Sequence, residues 1–346
     1  MFSRLIAIIL LVSLLLGLPA AYWLHDAQQK VVSNDSRVIT VEKGASMRAF
    51  ASHLVAEKML DEPWSFRFWA RYRGLSSALK AGDYLVAPET TMQELLQLVT
   101  SGKVIDYPVT FIEGWSFSQL REALSRQEKL RQTTSGLADA AVMEMLGAAG
   151  VHPEGRFYPD TYHYTASMSD IDILRQAYQK MRNLLADEWE KRAKNLPLES
   201  SDEALILASI IEKETGAVAE RSLIAGVFVN RLRKGMRLQT DPTVIYGMGE
   251  NYKGNIRKKD LLKDTPYNTY TRSGLPPTPI AMPGGDAIRA ALHPAHTKAL
   301  YFVSKGDGTH QFSTTLSEHN EAVIKYQLKG KRKNFSSYKK PQDAKQ

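Results

Sequence analysis

The sequence predicts an α+β protein: an N-terminal transmembrane helix, small α+β modules after it, and then a larger mixed α+β domain. Three observations carry that reading. Residues 5–24 form an uncharged apolar run. A short β-branched stretch, a glycine, a hydroxyl residue and an amphipathic run recur in the first third. The second half alternates helical periodicity with brief strand patterns. The boundaries are 1–4 for a cytoplasmic end, 5–24 for the span, 25–37 for a polar linker, 38–107 for the module region, 108–328 for the larger domain and 329–346 for a basic tail.

The apolar run reads L-I-A-I-I-L-L-V-S-L-L-L-G-L-P-A-A-Y-W-L, with Ser13 its one hydroxyl from a serine or threonine. Twenty helical residues at about 1.5 Å each match the roughly 30 Å hydrocarbon layer. Arg4 precedes the run, and Tyr22 and Trp23 sit where an interfacial belt belongs. A cleavable signal peptide competes for the segment, because Ala20 and Ala21 follow the apolar core. The length and the aromatic end favour an uncleaved anchor. Either reading puts residues from 37 onward outside the cytoplasm.

The chain has 346 residues, a formal charge of +8 and no cysteine. Thiol nucleophiles, disulfides and cysteine-ligated zinc are therefore excluded. From Lys329 onward there are seven basic residues and one acid, so the tail holds +6 of the net charge. Nucleic-acid surfaces are folded and aromatic-lined, which a polar tail is not, so no nucleic-acid partner is expected. The tail reads as a solvated end, or as one drawn to anionic lipid or wall polymer.

V-I-T-V-E-K-G-A-S-M-R-A-F-A-S-H-L (38–54) aligns with P-V-T-F-I-E-G-W-S-F-S-Q-L-R-E-A-L (108–124). Each predicts a short strand, a glycine turn, a serine cap and an amphipathic helix. A degenerate third copy at 84–99 places Thr91 and Met92 in the cap positions. Units of this kind resemble the LysM-type module, which binds wall glycans. Glycan contact over 38–107 is one expectation, and ordinary α+β packing is the other.

Residues 125–152 read as helical. E-G-R-F-Y-P-D-T-Y-H-Y (154–164) then gathers aromatic residues around a Pro-Asp turn. It is either a loop folded over the core or a sugar-binding wall, with rings such as Tyr158 against pyranose faces and Asp160 on hydroxyls. A helix is predicted over 170–194 and a break at N-L-P-L-E (195–199). Ser200 and Glu203 form a capping-box pattern that starts a further helix ending before Gly216, read as its C′ glycine. A second helix follows over 219–232. Residues 236–243 read as a strand entering a turn, 274–284 as an extended loop, and 299–305 with 309–314 as a hairpin.

The helix before Gly216 ends A-S-I-I-E-K-E-T. Glu212 and Glu214 lie about 200° apart around its axis, so they face different surroundings. A helix C-terminus carries partial negative charge, and the aliphatic neighbours Ile210 and Ile211 are poor solvents for an ion. Both effects raise a carboxyl pKa. A carboxyl protonated near neutrality is what a general acid requires. Taken alone, the motif fits better a solvated helix end whose carboxylates pair with Arg221 or Lys213.

A-S-I-I-E-K-E-T, V-F-V-N-R-L (227–232), G-M-R-L-Q-T-D-P-T-V-I-Y-G (235–247), Y-N-T-Y (267–270), G-L-P-P-T-P-I (274–280) and L-Y-F-V (300–303) together resemble the membrane-anchored endolytic murein transglycosylases, the YceG-like family. E-G-R-F-Y-P-D-T-Y looks like that family's pattern too, and the resemblance runs from the anchor to about residue 325. It implies a lytic transglycosylase, a carbon–oxygen lyase that cleaves the β-1,4 bond between N-acetylmuramic acid and N-acetylglucosamine within peptidoglycan strands. The muramic C6 hydroxyl then closes on C1 and leaves a 1,6-anhydro end, so that nascent strands stop elongating. The domain over 108–328 becomes the catalytic one, outside the plasma (inner) membrane. Under the resemblance Glu214 is the catalytic acid and base. Gln239 and Asp241 position substrate, Tyr267, Asn268 and Tyr270 line the same groove, and Glu212 holds the helix end or tunes its neighbour. No cofactor or metal is implied. The partners implied are peptidoglycan strands, with membrane synthases beside them.

Two alternatives stay open. A lysozyme-like hydrolase would use Glu214 with Asp241 or Asp160, and a wall-binding scaffold would cut nothing. H-E-x-x-H, G-x-S-x-G and Walker patterns are missing from the sequence. Ser77-Ala-Leu-Lys80 matches S-x-x-K without its companion motifs, and His293-Pro-Ala-His296 reads as loop histidines.

Overall fold

The computed structural model describes Asp26 and residues 28–328, so the predicted span at 5–24 and tail at 329–346 lie outside the described residues. The chain divides into two units. The first contains the described residues up to Pro108, with Gln127–Gln132 and His163–Ser169. The second contains Val109–Arg126, Thr133–Tyr162 and the chain from Asp170 onward.

In the first unit β1 (Val31–Ser33) precedes β2 (Arg37–Val41), α1 (Met47–Ala56), α2 (Pro63–Tyr72), β3 (Gly82–Val86), β4 (Thr90–Thr91) and α3 (Met92–Ser101). The strand β1 pairs antiparallel with β4, and β2 pairs antiparallel with β3, with Val38 opposite Leu85 and Thr40 opposite Asp83. Alternation decides which side chains enter the core. Ile39 and Val41 are buried with Tyr84 and Val86, whereas Val38 and Leu85 stay exposed. Phe50, Leu54, Phe66, Leu95 and Leu96 from the helices complete this core.

The repeated strand–turn–helix reading matches local structure. Gly44 and Gly114 both take left-handed φ values, +81° and +77°, which a side chain would resist. Ser46, Thr91 and Ser116 cap the helices that follow them, and Thr91 and Ser116 form full capping boxes with Glu94 and Gln119.

Strand β5 (Tyr107–Thr110) pairs with β6 (Thr161–Tyr164). The second unit then follows as α4 (Phe117–Ser125), α5 (Asp139–Met145), α6 (Asp170–Glu190), α7 (Ser201–Glu214), α8 (Val218–Arg233), α9 (Asp241–Met248), α10 (Lys258–Leu262), α11 (Gly285–Leu292), β7 (Tyr301–Ser304), β8 (His310–Ser313) and α12 (Leu316–Tyr326). Helix α7 runs through its core: every residue from Ala204 to Ile211 is buried. It packs most extensively on α11, with α6 and α8 beside it. The hairpin β7–β8 is antiparallel, with Phe302 opposite Phe312, and α12 lies against it.

Several sequence expectations need correction. Residues 125–152 hold only the seven-residue α5 as regular helix after α4 ends at Ser125. Gly136, Gly147 and Gly150 adopt φ values of +74° to +78°, and Thr133 and Thr134 turn their N–H and O–H groups onto the buried Asp170 carboxylate instead of continuing a helix. Helix α6 stops at Glu190, short of 194. Residues 236–240 form no strand, because Gln239 takes φ +51° and α9 starts at Asp241 with Pro242 in its first turn. Gly216 is not a left-handed cap; extended Thr215 ends α7, and its hydroxyl accepts from the Ala217 N–H at 2.9 Å. Only half of the predicted capping box forms: Ser200 accepts from Glu203 N, while the Glu203 carboxylate accepts from Glu199 N.

Candidate active site

Helix α7 carries Glu212 and Glu214 out of the dry core on opposite sides, and the two meet different partners. Glu212 accepts from Arg221 Nη2 at 3.1 Å and from the Gly284 N–H at 2.9 Å, with its side chain 6% exposed. Arg221 also lies 3.5 Å from Glu113 and 3.6 Å from Asp286, so one buried guanidinium serves three carboxylates. Burial pushes the Glu212 carboxyl up, against the pull of Gly284 and Arg221. Lys213 donates to the Gly114 carbonyl at 3.2 Å. The turn bearing Glu212 is fastened on both flanks.

Glu214 is half-buried, and its Oε1 accepts a hydrogen bond from the Thr240 hydroxyl. Burial lifts its pKa to about 7; Asp241 pushes further in that direction, while the Thr240 bond, His310 and Arg231 pull against it. A carboxyl poised there holds its proton in part of the population and can also take one back.

Thr240 is aimed by a buried hydroxyl cluster. Its N–H donates to Thr269 Oγ1 at 3.1 Å, and its carbonyl accepts from Thr243 Oγ1 at 2.8 Å. The Thr243 and Thr269 hydroxyls are 2.9 Å apart. Gln239, exposed and in the left-handed region, donates its N–H to the Thr269 carbonyl and swings the chain into this arrangement. Asp241 Oδ1 accepts from the Tyr270 hydroxyl at 2.6 Å. Asn268 is 1% exposed; it donates to the carbonyls of Leu261 and Lys263 and accepts from Tyr270 N. It therefore positions Tyr270, and its buried amide is not presented to a groove.

The structure gathers Glu214, Gln239, Asp241 and Tyr270 around Thr240, with Asn268 bracing from behind. Tyr267 turns elsewhere. Its hydroxyl meets Thr278 Oγ1 at 2.8 Å, and its ring packs edge-on against Tyr246 at 4.9 Å. Tyr158 lies under Lys180, 5.0 Å from the ring centre, and Asp160 pairs with the same lysine, which with the Thr161 N–H holds its carboxyl below the usual range.

Five further residues were not singled out from the sequence, although Thr240, Arg231 and Glu154 each sit inside a motif quoted above. The five are Thr240, Arg231, Glu154 and the pair His310 and Glu220. Arg231, 8% exposed, donates to the carbonyls of Leu238 and Leu300, each at 2.7 Å, and so ties α8 to the segment that carries Thr240. His310 Nδ1 lies 2.7 Å from Glu220, whose other oxygen accepts from His310 N. Glu154, 4% exposed, is pushed by burial to about 7 while accepting from Phe117 N at 3.0 Å and from Tyr246 Oη at 3.2 Å. Residue identity alone does not reveal which hydroxyl or guanidinium points at a carboxyl. Among the described residues, no group of three His, Asp or Glu side chains converges as a metal cage would.

A half-buried, proton-sharing glutamate at a helix end, with polar groups converging on it from a separate loop, is the arrangement of a general acid–base enzyme on an α+β frame. The chain belongs to the YceG-like family, whose model matches residues 39–325. It is 33% identical over 315 residues to the endolytic murein transglycosylase of Bacillus subtilis (strain 168), covering 85% of this chain and 87% of that protein. It is 25% identical to the endolytic murein transglycosylase of Streptococcus pneumoniae (strain D39), covering 87% of this chain and 60% of that one. A 2.6 Å crystal structure of a YceG-like protein from Listeria monocytogenes matches with a TM-score of 0.52 and 30% identity, covering 84% of this chain and 99% of that chain.

Proposed function

We propose that this chain is an endolytic lytic transglycosylase of peptidoglycan, acting on the β-1,4 bond between N-acetylmuramic acid and N-acetylglucosamine. The observation that carries the reading is Glu214, lifted to about 7 and held by Thr240. The protonated carboxyl gives its proton to the glycosidic oxygen as the bond to C1 breaks, releasing the N-acetylglucosamine end. The C6 hydroxyl of the same muramic residue then attacks C1, and the Glu214 carboxylate takes up the hydroxyl proton. The carboxyl is restored and a 1,6-anhydro end is left. No water is consumed. Thr240 steadies the carboxylate between the two steps, and Asp241, Tyr270 and Gln239 contact hydroxyl and acetamido groups. The names of the Bacillus and Streptococcus relatives support this reading.

The region over 38–107 serves as a LysM-like glycan contact and the 108–328 domain as the catalytic part. The run at 5–24 anchors both outside the plasma membrane, beside the synthases whose strands are cut. A hydrolytic reading has one observation in its favour: Asp241 is close enough for its charge to act on Glu214. Mass spectrometry of digested glycan separates the two, since anhydro ends mark the lyase and reducing ends a hydrolase. Glu214→Gln should retain glycan binding and lose cleavage. Full activity in that variant removes the assignment, and a wild type that binds without cutting is a scaffold.

A further inference from the structure

Helix α2 carries a row of aromatic side chains outside the core of its unit. Phe66, Trp69 and Ala70 are buried, whereas Trp64, Phe68 and Tyr72 are 51%, 47% and 67% exposed. At about 100° per residue, positions 64, 68 and 72 fall within an arc of roughly 80° beside the buried face. Arg71 and Arg67 take the next arc, about 20° and 60° beyond Trp64. Residues 63–82 contain no acid and four cations, Arg67, Arg71, Arg73 and Lys80.

We propose that this face of α2 lies in the membrane–water interface, with Trp64, Phe68 and Tyr72 in the headgroup layer of an anionic bilayer and Arg67 and Arg71 on lipid phosphates. Tryptophan and tyrosine each have an apolar body and a polar tip, which suits them to that depth. An aromatic row with a cationic row beside it is the pattern of a helix lying in the interface plane. Chain length selects this occupant. The apolar run ends at Leu24 and β1 begins at Val31, so six residues, spanning at most about 25 Å from Leu24 to Val31, join the run to the unit. The inference therefore rests on the anchor reading of 5–24. A tether that short keeps the local lipid concentration high, and a weak contact is enough. Glycan recognition fits less well, because sugar sites mix carboxylates and amides, whereas the arc beside this row holds Arg67 and Arg71, and the nearby Glu62 carboxylate is taken up in capping the helix by accepting from Trp64 N and Ser65 N.

The chain lacks cysteine, which makes the test direct. Full-length Phe68→Cys, labelled with an environment-sensitive fluorophore, is reconstituted into phosphatidylglycerol–phosphatidylethanolamine vesicles and compared with Ser101→Cys at the end of α3. The label at 68 should be quenched by spin-labelled lipid and be protected from aqueous iodide about fivefold relative to 101. Trp64→Ser with Tyr72→Ser should reduce that protection to the level of 101, and phosphatidylcholine vesicles should reduce it in part. Vesicle flotation after carbonate washing is read in parallel. A chain that floats while residue 68 stays as open to iodide as residue 101 overturns this proposal and leaves the anchor standing. A chain that fails to float overturns both. Protection that appears in detergent on adding glycan strands, without lipid, overturns it in favour of a wall-binding face.

Discussion

Replacing Thr240 by valine keeps the shape of the side chain and removes the hydroxyl that donates to Glu214 Oε1. That bond favours the ionised carboxylate and is one of the forces opposing burial at this site. A hydrogen bond to a charged group contributes about 1.5–3 kcal/mol, and one pKa unit corresponds to about 1.36 kcal/mol, so its loss should raise the Glu214 pKa by about one to two units. The sign in the rate follows from the chemistry. Cleavage begins with protonated Glu214, so kcat/KM of the wild type should fall as pH rises through about 7. In Thr240→Val the fall should move to about pH 8–9. The maximal rate should drop as well, because the more basic carboxylate lacks its support in the second step. The assay is the release of anhydro ends from purified glycan strands at a series of pH values. An alkaline limb that stays in place, or moves to lower pH, refutes the view that this hydroxyl and this carboxyl set the proton balance.

Three further outcomes are expected. Glu214 has a folded pKa of about 7 against an ordinary value near 4.5, so its contribution to stability is complete below about 4.5 and is lost as pH rises through 7; Glu214→Gln should match the wild type in thermal unfolding near pH 4.5 and be more stable by up to about 3 kcal/mol at pH 8. Equal melting shifts at both pH values would contradict the raised pKa. Arg221→Met leaves Glu212 buried without its cation, and the loss should be about 3–5 kcal/mol, read as a melting temperature lower by about 10 °C; an unchanged melting point would mean that the shared guanidinium does not hold the helix end. Gly155→Ala should lose about 2–3 kcal/mol in denaturant unfolding, because residue 155 has φ +76° and a Cβ would stand 2.7 Å from Pro279 Cγ; wild-type stability would show that the Pro279 loop yields freely.

The elements most legible in the sequence were those whose signals are local. The glycine–serine turns before α1 and α4 and the hairpin β7–β8 each follow from a few adjacent residues, and they formed where expected. Segments decided by distant partners were not legible. The strand pattern at 236–240 gave way because Arg231 and Thr269 take up the carbonyls and N–H groups of that stretch. The helical composition of 126–138 gave way to Asp170, a carboxylate more than thirty residues along the chain. In the site the same division holds. A buried helix ending in two acids supplied a physical reason for a raised carboxyl pKa, though the motif alone also reads as a solvated end, and burial pushes both carboxyls up. That Thr240 meets Glu214, and that Asn268 faces inward, depends on how two loops fold over α7, and side chains in loops carry no periodic mark.

Because α7 is enclosed on every side from Ala204 to Ile211, it can neither roll nor slide, and the last turn inherits its position from the whole rod. One residue inserted or deleted within that stretch would shift the terminus by about 1.5 Å along the axis and rotate it by about 100°, offering Thr240 a different side chain altogether. Point exchanges among the aliphatic residues are a matter of packing, but a change in their number is a change of reactive group. Engineering of this protein should accordingly treat the helix as a ruler of fixed length.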